Sequence, residues 1–289
     1  MSYRSIFRPD LFQGETVIVT GGGSGFGRCI AHELAALGAT VVLMGRRRAK
    51  LEVVAAEIAA DGGRADLQPC NIRIEAEVQA ALDAVLARHG PVRHLVNNAG
   101  GQFPAALEAI SQKGWEAVVQ TNLTGGFLMS RELYVRSLKQ NGGAIVNIIA
   151  DMWTSMPTMG HSGAARAGML SLTMTAAVEW GRAGVRVNAV APGWCASSGF
   201  DTYDPETRKQ FKLYHNYVPL NRLGTESEVS AAVIFLLSPA AAFITGSCIR
   251  VDGGVPNARL HYPMPEGPGT PAFEGFHRAV TPKALSEPD

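Results

Sequence analysis

An apolar run of strand length, Thr16 to Thr20, leads straight into Gly21-Gly22-Gly23-Ser24-Gly25-Phe26-Gly27, and a stretch of helical period opens directly behind it. This junction constrains the fold more than any other feature. A glycine-rich turn between a strand and a helix reverses the chain in little space, and it presents the unpaired amides and partial positive charge of the helix N-terminus to a phosphate. Gly21 is expected to permit the tight turn, Gly25 to let the backbone approach a pyrophosphate, and Gly27 to allow close helix packing. Ser24 and Phe26 complete the expected cofactor-binding turn.

Beyond the turn, short Val- and Ile-rich runs keep alternating with amphipathic stretches. Ala31 to Leu37, Thr40 to Met44, Leu51 to Ala60, Ala65 to Cys70, Val78 to Arg88 and His94 to Asn97 come first. Trp115 to Leu138, Ala144 to Ile149, Ala164 to Trp180, Val185 to Val190 and Val229 to Leu237 follow. This βαβα rhythm predicts a doubly wound α/β fold, a parallel sheet of about seven strands flanked by helices. Ala144-Ile145-Val146-Asn147-Ile148-Ile149 does not alternate polar with apolar, as suits a strand covered on both faces. From Pro256 onward prolines recur with little periodicity, so residues 256–289 read as an irregular tail. That tail is either solvated or packed across a neighbouring subunit or the active-site rim, with His261, Tyr262 and Phe276 as candidate contacts.

Composition excludes other classes. With 46% hydrophobic and 18% charged residues in 289, the chain can bury a core without crosslinks. Lys plus Arg number 26 against 25 Asp plus Glu, and a net charge of +1 offers no basic stripe for nucleic acid. Cys29, Cys70, Cys195 and Cys248 form no CxxC pair and have no histidine at ligand spacing, so no disulfide framework and no metal site are expected. There is no N-terminal leader, no window of about 18 apolar residues and no peroxisomal C-terminal address, so a cytoplasmic protein without membrane spans is expected.

The second strand ends in Gly45-Arg46-Arg47-Arg48, where an NAD-binding chain would place a carboxylate for the ribose 2′-OH. Arg46 can instead pair its planar fork with a 2′-phosphate, which favours NADP(H) over NAD(H). Arg28, just after the glycine-rich turn, is a weaker pointer in the same direction.

With Asn97-Asn98-Ala99-Gly100, Asn122, Ala191-Pro192-Gly193 and Asp252-Gly253-Gly254 following the turn in order, residues 14–254 resemble the short-chain dehydrogenase/reductase family. The resemblance implies one Rossmann domain over residues 1–255, with a substrate-covering insertion near 195–217. It implies that Asn98, Ala99 and Gly100 line the adenosine and nicotinamide side, Asn71 and Ile72 the adenine, and Pro192 and Gly193 the nicotinamide. It also implies a homo-oligomer, a tetramer, paired through the helices that hold Asn122 and Ser162.

The departure from the family pattern carries the functional expectation. The usual site has Tyr and Lys four residues apart on the helix after the fifth strand, and Ser162 and Arg166 stand there instead. A serine hydroxyl is too weak an acid to replace the phenol, while Arg166 can hold ribose hydroxyls but stays protonated. Reduction of a C=C bond conjugated to a thioester tolerates this, because it chiefly needs donors to the oxygen where enolate charge collects. Ser162, Asn122 and Thr124 are the expected donors, and Asp151 or His161 the expected acid for the Cα proton. HSGAARAGM is further similar to the trans-2-enoyl-CoA and 2,4-dienoyl-CoA reductase branch, and Ser5 to Asp10 to bacterial citronellol/citronellal dehydrogenases. The substrate expected is an acyl-CoA thioester, with Arg208, Lys209 and Lys212 facing its phosphates and Met152, Trp153, Met156 and Met159 forming an apolar wall. The alternatives are an alcohol or carbonyl dehydrogenase with a rearranged proton relay, and an NADP-binding protein of little turnover.

Overall fold

The computed structural model describes residues 2–258, 264, 267 and 269–286. Seven parallel strands form one sheet in the order β3-β2-β1-β4-β5-β6-β7. They are β1 Thr16–Thr20, β2 Thr40–Gly45, β3 Arg64–Pro69, β4 His94–Asn97, β5 Gly143–Ile148, β6 Val185–Pro192 and β7 Cys248–Val251. The last of these, just ahead of Asp252-Gly253-Gly254, had no place in the sequence pattern. Helices α1 Gly25–Ala36, α2 Arg48–Ala60 and α3 Glu75–His89 connect the first four strands. Helices α4 Gln112–Val119, α5 Gly125–Leu133 and α6 Lys139–Asn141 lead to β5, and α7 Gly160–Trp180 leads to β6. α8 Pro205–Phe211, α9 Glu226–Leu237 and α10 Lys283–Ser286 complete the set.

The period-2 geometry of a strand splits its apolar residues between two helix layers. Val17 and Val19 of β1 pack with Ile30 and Leu34 of α1 and with Val233, Ile234 and Leu237 of α9. Ile18, between them, points the other way onto Val78, Leu82 and Val85 of α3 and Leu133 of α5. All three β1 side chains are fully buried, so each contributes about 1.5–3 kcal/mol relative to exposure. The doubly wound α/β fold follows directly. Because β1 lies between β2 and β4, the crossovers leave it in opposite directions and open a crevice at the carboxyl ends of the strands.

The stretch from Trp115 to Leu138, expected as one run, is interrupted by π-helical turns at Gln120–Thr124 and Tyr134–Leu138. Such turns often mark functional sites, and the first carries the buried Asn122. The four cysteines are free, and among the described residues no cluster could hold a metal and no helix is long and apolar enough to cross a membrane.

His261 and Tyr262 lie outside the described residues, but the rest of the tail is not idle. Phe276 is buried beside Tyr3 and Cys29, and its N–H donates to Ser227 Oγ at 2.9 Å. Arg278 forms a forked pair with Asp61 at 2.7 and 2.8 Å, holding that carboxyl down at about 2. Further on, Ala284 N–H donates to Asp201 Oδ1 at 3.1 Å, so this stretch of the tail lies against the insertion.

Candidate active site

The glycine-rich turn occupies the crevice. Gly21 (φ +67°) and Gly25 (φ +53°) have left-handed conformations that disfavour a side chain. A Cβ on Gly25 would meet only Ser198 Oγ, at 3.8 Å, so this backbone faces open cleft. A Cβ on Gly27 would lie 2.4 Å from both Gly21 O and Asn98 Nδ2. Gly27 is therefore demanded by the turn itself and by Asn98, not by helix packing. Ser24 is the N-cap of α1 without a side-chain cap bond, which leaves the first-turn amides as donors for a ligand.

The cleft above the turn measures about 400 Å³. Gly21, Ser24, Gly25, Phe26, Asn71, Ile72, Asn98, Ala99 and Gly100 all line it. The Asn98 side chain, however, is committed to the turn, donating to Thr20 O at 3.0 Å. Arg46 lies exposed at the rim, joined there by Arg47, Lys50 and Arg73, which the sequence pattern had not singled out. Arg28 does not join them. It forms a forked pair with Glu57 at 2.7 and 2.9 Å, lies over the Phe276 ring and donates to Arg278 O, because its place on α1 faces α2 and the tail. Pro192 and Gly193 also lie away from the lining of this cleft. They end β6 where Pro192 O accepts from Asp151 N–H at 3.0 Å and a Cβ on Gly193 would press on Asp252.

At the other end, the π-helical turn aims Asn122 inward. Gly101 fixes both ends of its amide, donating N–H to Asn122 Oδ1 at 2.9 Å and accepting from Nδ2 at 3.0 Å. Asn122 Nδ2 also reaches Ser162 Oγ at 3.5 Å, and Ser162 Oγ donates to Gln102 Oε1 at 2.6 Å. Gln102 Nε2 in turn donates to Tyr203 OH at 3.0 Å. Gln102 and Tyr203 were not foreseen, although Gln102 stands two residues beyond the Asn98-Ala99-Gly100 motif. Thr124 stays outside, bonding none of these groups, while Thr121 lines the cleft instead.

Arg166 lies one helical turn beyond Ser162 on the same face of α7. Its Nη1 donates to Ile148 O at 2.6 Å, and a Cβ on Gly100 would sit 2.4 Å from Nη2, so glycine there admits the guanidinium. Burial pulls the Arg166 pKa down to about 10, and its buried Nε has no hydrogen-bond partner among the described residues. A desolvated cation with a spare donor calls for oxygen acceptors, and the hydroxyls of a bound ribose are of that kind. Together with the open glycine backbone and the basic rim, this fits a phosphorylated dinucleotide.

The two candidate acids differ. His161 is fully buried, its Nδ1 accepts from Ser162 N–H at 2.9 Å, its ring packs edge-on against Phe103, and its buried Nε2 has no hydrogen-bond partner among the described residues. Asp151 is half-buried at the end of β5, and its buried Oδ1 has no partner among the described residues. Burial raises its pKa, opposed by the Trp153 N–H, and the charge of Asp252 raises it further. Trp153 is stacked under Arg250, Met156 packs on Gly163, and Met152 joins Ile149 and Met169. Trp194 meets Tyr214 and Tyr217 in an aromatic cluster at the end of the insertion, and α8 carries Arg208 and Lys209 in its last turn.

This combination defines a single-domain Rossmann oxidoreductase. Residues 21–256 match the family model described as enoyl-(acyl carrier protein) reductase, and the chain belongs to the short-chain dehydrogenase/reductase family. The family and fold imply a nicotinamide dinucleotide as cofactor. The chain is 37% identical to a Bacillus subtilis protein named a probable 2,4-dienoyl-CoA reductase over 83% of this chain and 96% of that one. It is 35% identical to the mouse peroxisomal 2,4-dienoyl-CoA reductase over 87% of each. A solved structure of a citronellol catabolism dehydrogenase, AtuB, from Pseudomonas aeruginosa is 58% identical with a TM-score of 0.79, over 88% of this chain and 99% of that one.

Proposed function

We propose that this protein reduces the C=C bond of an enoyl- or dienoyl-CoA thioester with NADPH. The observation that carries this reading is the row of neutral donors running from Asn122 through Ser162 and Gln102, on a helix α7 that holds neither tyrosine nor lysine. Such a row suits charge that collects on an oxygen without demanding a strong acid at that oxygen. The relatives named as dienoyl-CoA reductases support the thioester class.

When bound, NADPH supplies the hydride. The Arg166 guanidinium would hold the ribose, and Arg46 would pair with the 2′-phosphate. The donor row takes the thioester oxygen as the C=C bond gives up its electron pair, and Asp151, whose pKa is raised by burial and by Asp252, gives a proton to carbon. The apolar residues after β5 and the aromatic insertion cover the acyl chain and exclude water.

A second reading, an alcohol or aldehyde dehydrogenase acting on a citronellol-like substrate, is favoured by the 58% identity to AtuB. NADPH oxidation by the purified protein separates the two, with enoyl- and dienoyl-CoA thioesters beside citronellal and NADH as the control. Turnover confined to the thioesters is expected, and turnover confined to citronellal contradicts the first reading.

A further inference from the structure

The direction of the hydrogen bonds in the donor row is fixed by the backbone. Gly101 N–H and Gly101 O between them decide which end of the Asn122 amide is oxygen, so Nδ2 is the group that faces Ser162. Ser162 Oγ accepts there and can only donate onward, to Gln102 Oε1. With its oxygen occupied, Gln102 presents Nε2 to Tyr203 OH, which accepts. Each donor points the same way along Asn122, Ser162, Gln102 and Tyr203, and each bond polarises the next. The Ser162 proton is thus spent inside the row. The Tyr203 proton is the one left at its end, and it has no acceptor among the described residues.

We propose that Tyr203 is a catalytic residue, the phenol that donates its hydrogen bond to the substrate carbonyl oxygen, with Ser162 and Gln102 positioning it. This rests on the reading of the site as one where charge collects on such an oxygen. Three features fix the segment that carries the phenol beside the dinucleotide cleft. Neighbouring Thr202 lines the dinucleotide cleft, the Tyr203 ring meets Phe211 edge-on at 5.2 Å, and Asp201 is tied to the tail through Ala284 N–H. A phenol is a stronger donor than the serine it follows, so the row delivers from the insertion the kind of group that α7 lacks. It also makes the donor depend on the insertion being in place over the substrate, since Tyr203 travels with that segment.

The test is Tyr203→Phe, which keeps the ring and its packing, with Gln102→Met as a second variant that keeps the phenol but cuts the row. Tyr203→Phe is expected to lower kcat about 10- to 100-fold, with NADPH affinity and substrate KM within about two-fold. Gln102→Met is expected to fall between it and the parent. A wild-type kcat in Tyr203→Phe overturns the proposal, as does a loss confined to KM. A readout independent of turnover is the near-ultraviolet absorbance of the enolate of a β-oxoacyl-CoA bound with NADP⁺. The parent is expected to accumulate that enolate and Tyr203→Phe to lose it, and equal absorbance in both counts against Tyr203. Running citronellal in parallel keeps the two ideas apart. If only the aldehyde turns over, thioester reduction fails, while a kcat loss in Tyr203→Phe on citronellal still upholds the phenol as donor to the carbonyl oxygen.

Discussion

The phosphate-binding turn at the nucleotide end of the cleft is one contiguous stretch, Gly21 to Gly27, braced from behind by Asn98, whereas the reacting end gathers Gln102, Asn122, Ser162 and Tyr203 from four separate segments. In the first, backbone conformation and the absence of side chains do the work. In the second, side-chain hydrogen bonds do it, and no segment contributes more than one member. The difference predicts opposite responses to mutation: a methyl group should ruin the first half, and a lost hydroxyl should silence the second without disturbing the first.

The largest effect is expected from Gly27→Ala, whose Cβ would meet backbone and the Asn98 amide at 2.4 Å. NADPH affinity should fall by at least about 100-fold, read by fluorescence titration, because the turn must open to admit the methyl. Near-normal binding would mean that Gly27 is dispensable and that the turn is softer than its contacts imply. Ser162→Ala comes next. It should lower kcat on the preferred substrate about 10- to 100-fold, no further than Tyr203→Phe, because it cuts the row that positions the phenol, and leave NADPH affinity alone. Equal losses of binding and turnover would erase the contrast between the halves.

Arg46→Ala sharpens the comparison within the nucleotide half. A charge-assisted hydrogen bond contributes about 1.5–3 kcal/mol, so NADPH should weaken roughly 10- to 100-fold while NADH changes little. If Arg47, Lys50 and Arg73 share the phosphate, the measured loss will sit at the lower end. The smallest effect concerns pH. Asp151 is held above the usual carboxylate range, first by burial and then by Asp252, and the proposed step uses its protonated form. Turnover should therefore be full below the raised pKa and fall as pH rises through it. In Asp151→Asn that limb should vanish, with kcat lowered a few-fold where water takes over the delivery. A pH profile unchanged by the substitution would remove Asp151 from the reaction.

These regions were legible to different degrees. A run such as Thr16 to Thr20 followed by glycines announces its strand and turn locally, and Gly21 and Gly25 adopt the left-handed φ that only glycine accepts easily. Asn122, Ser162 and Arg166 could be placed because helical spacing and motif order carry them. Gln102 and Tyr203 could not, since 101 residues of chain separate two groups that a single hydrogen bond joins. The same limit explains Arg28: the sequence shows its charge, but only its forked pair with Glu57 shows that it is engaged elsewhere. Thr124, two residues beyond Asn122 on one helical stretch, projects from a different face.

The most direct test of C=C reduction follows the hydride itself. NADPH deuterated at the nicotinamide C4 position should place its label on the chain carbon of a dienoyl- or enoyl-CoA, located by NMR of the recovered thioester. Label found instead on the carbinol carbon of an alcohol formed from citronellal, with none entering the thioesters, would contradict double-bond reduction as the reaction of this site.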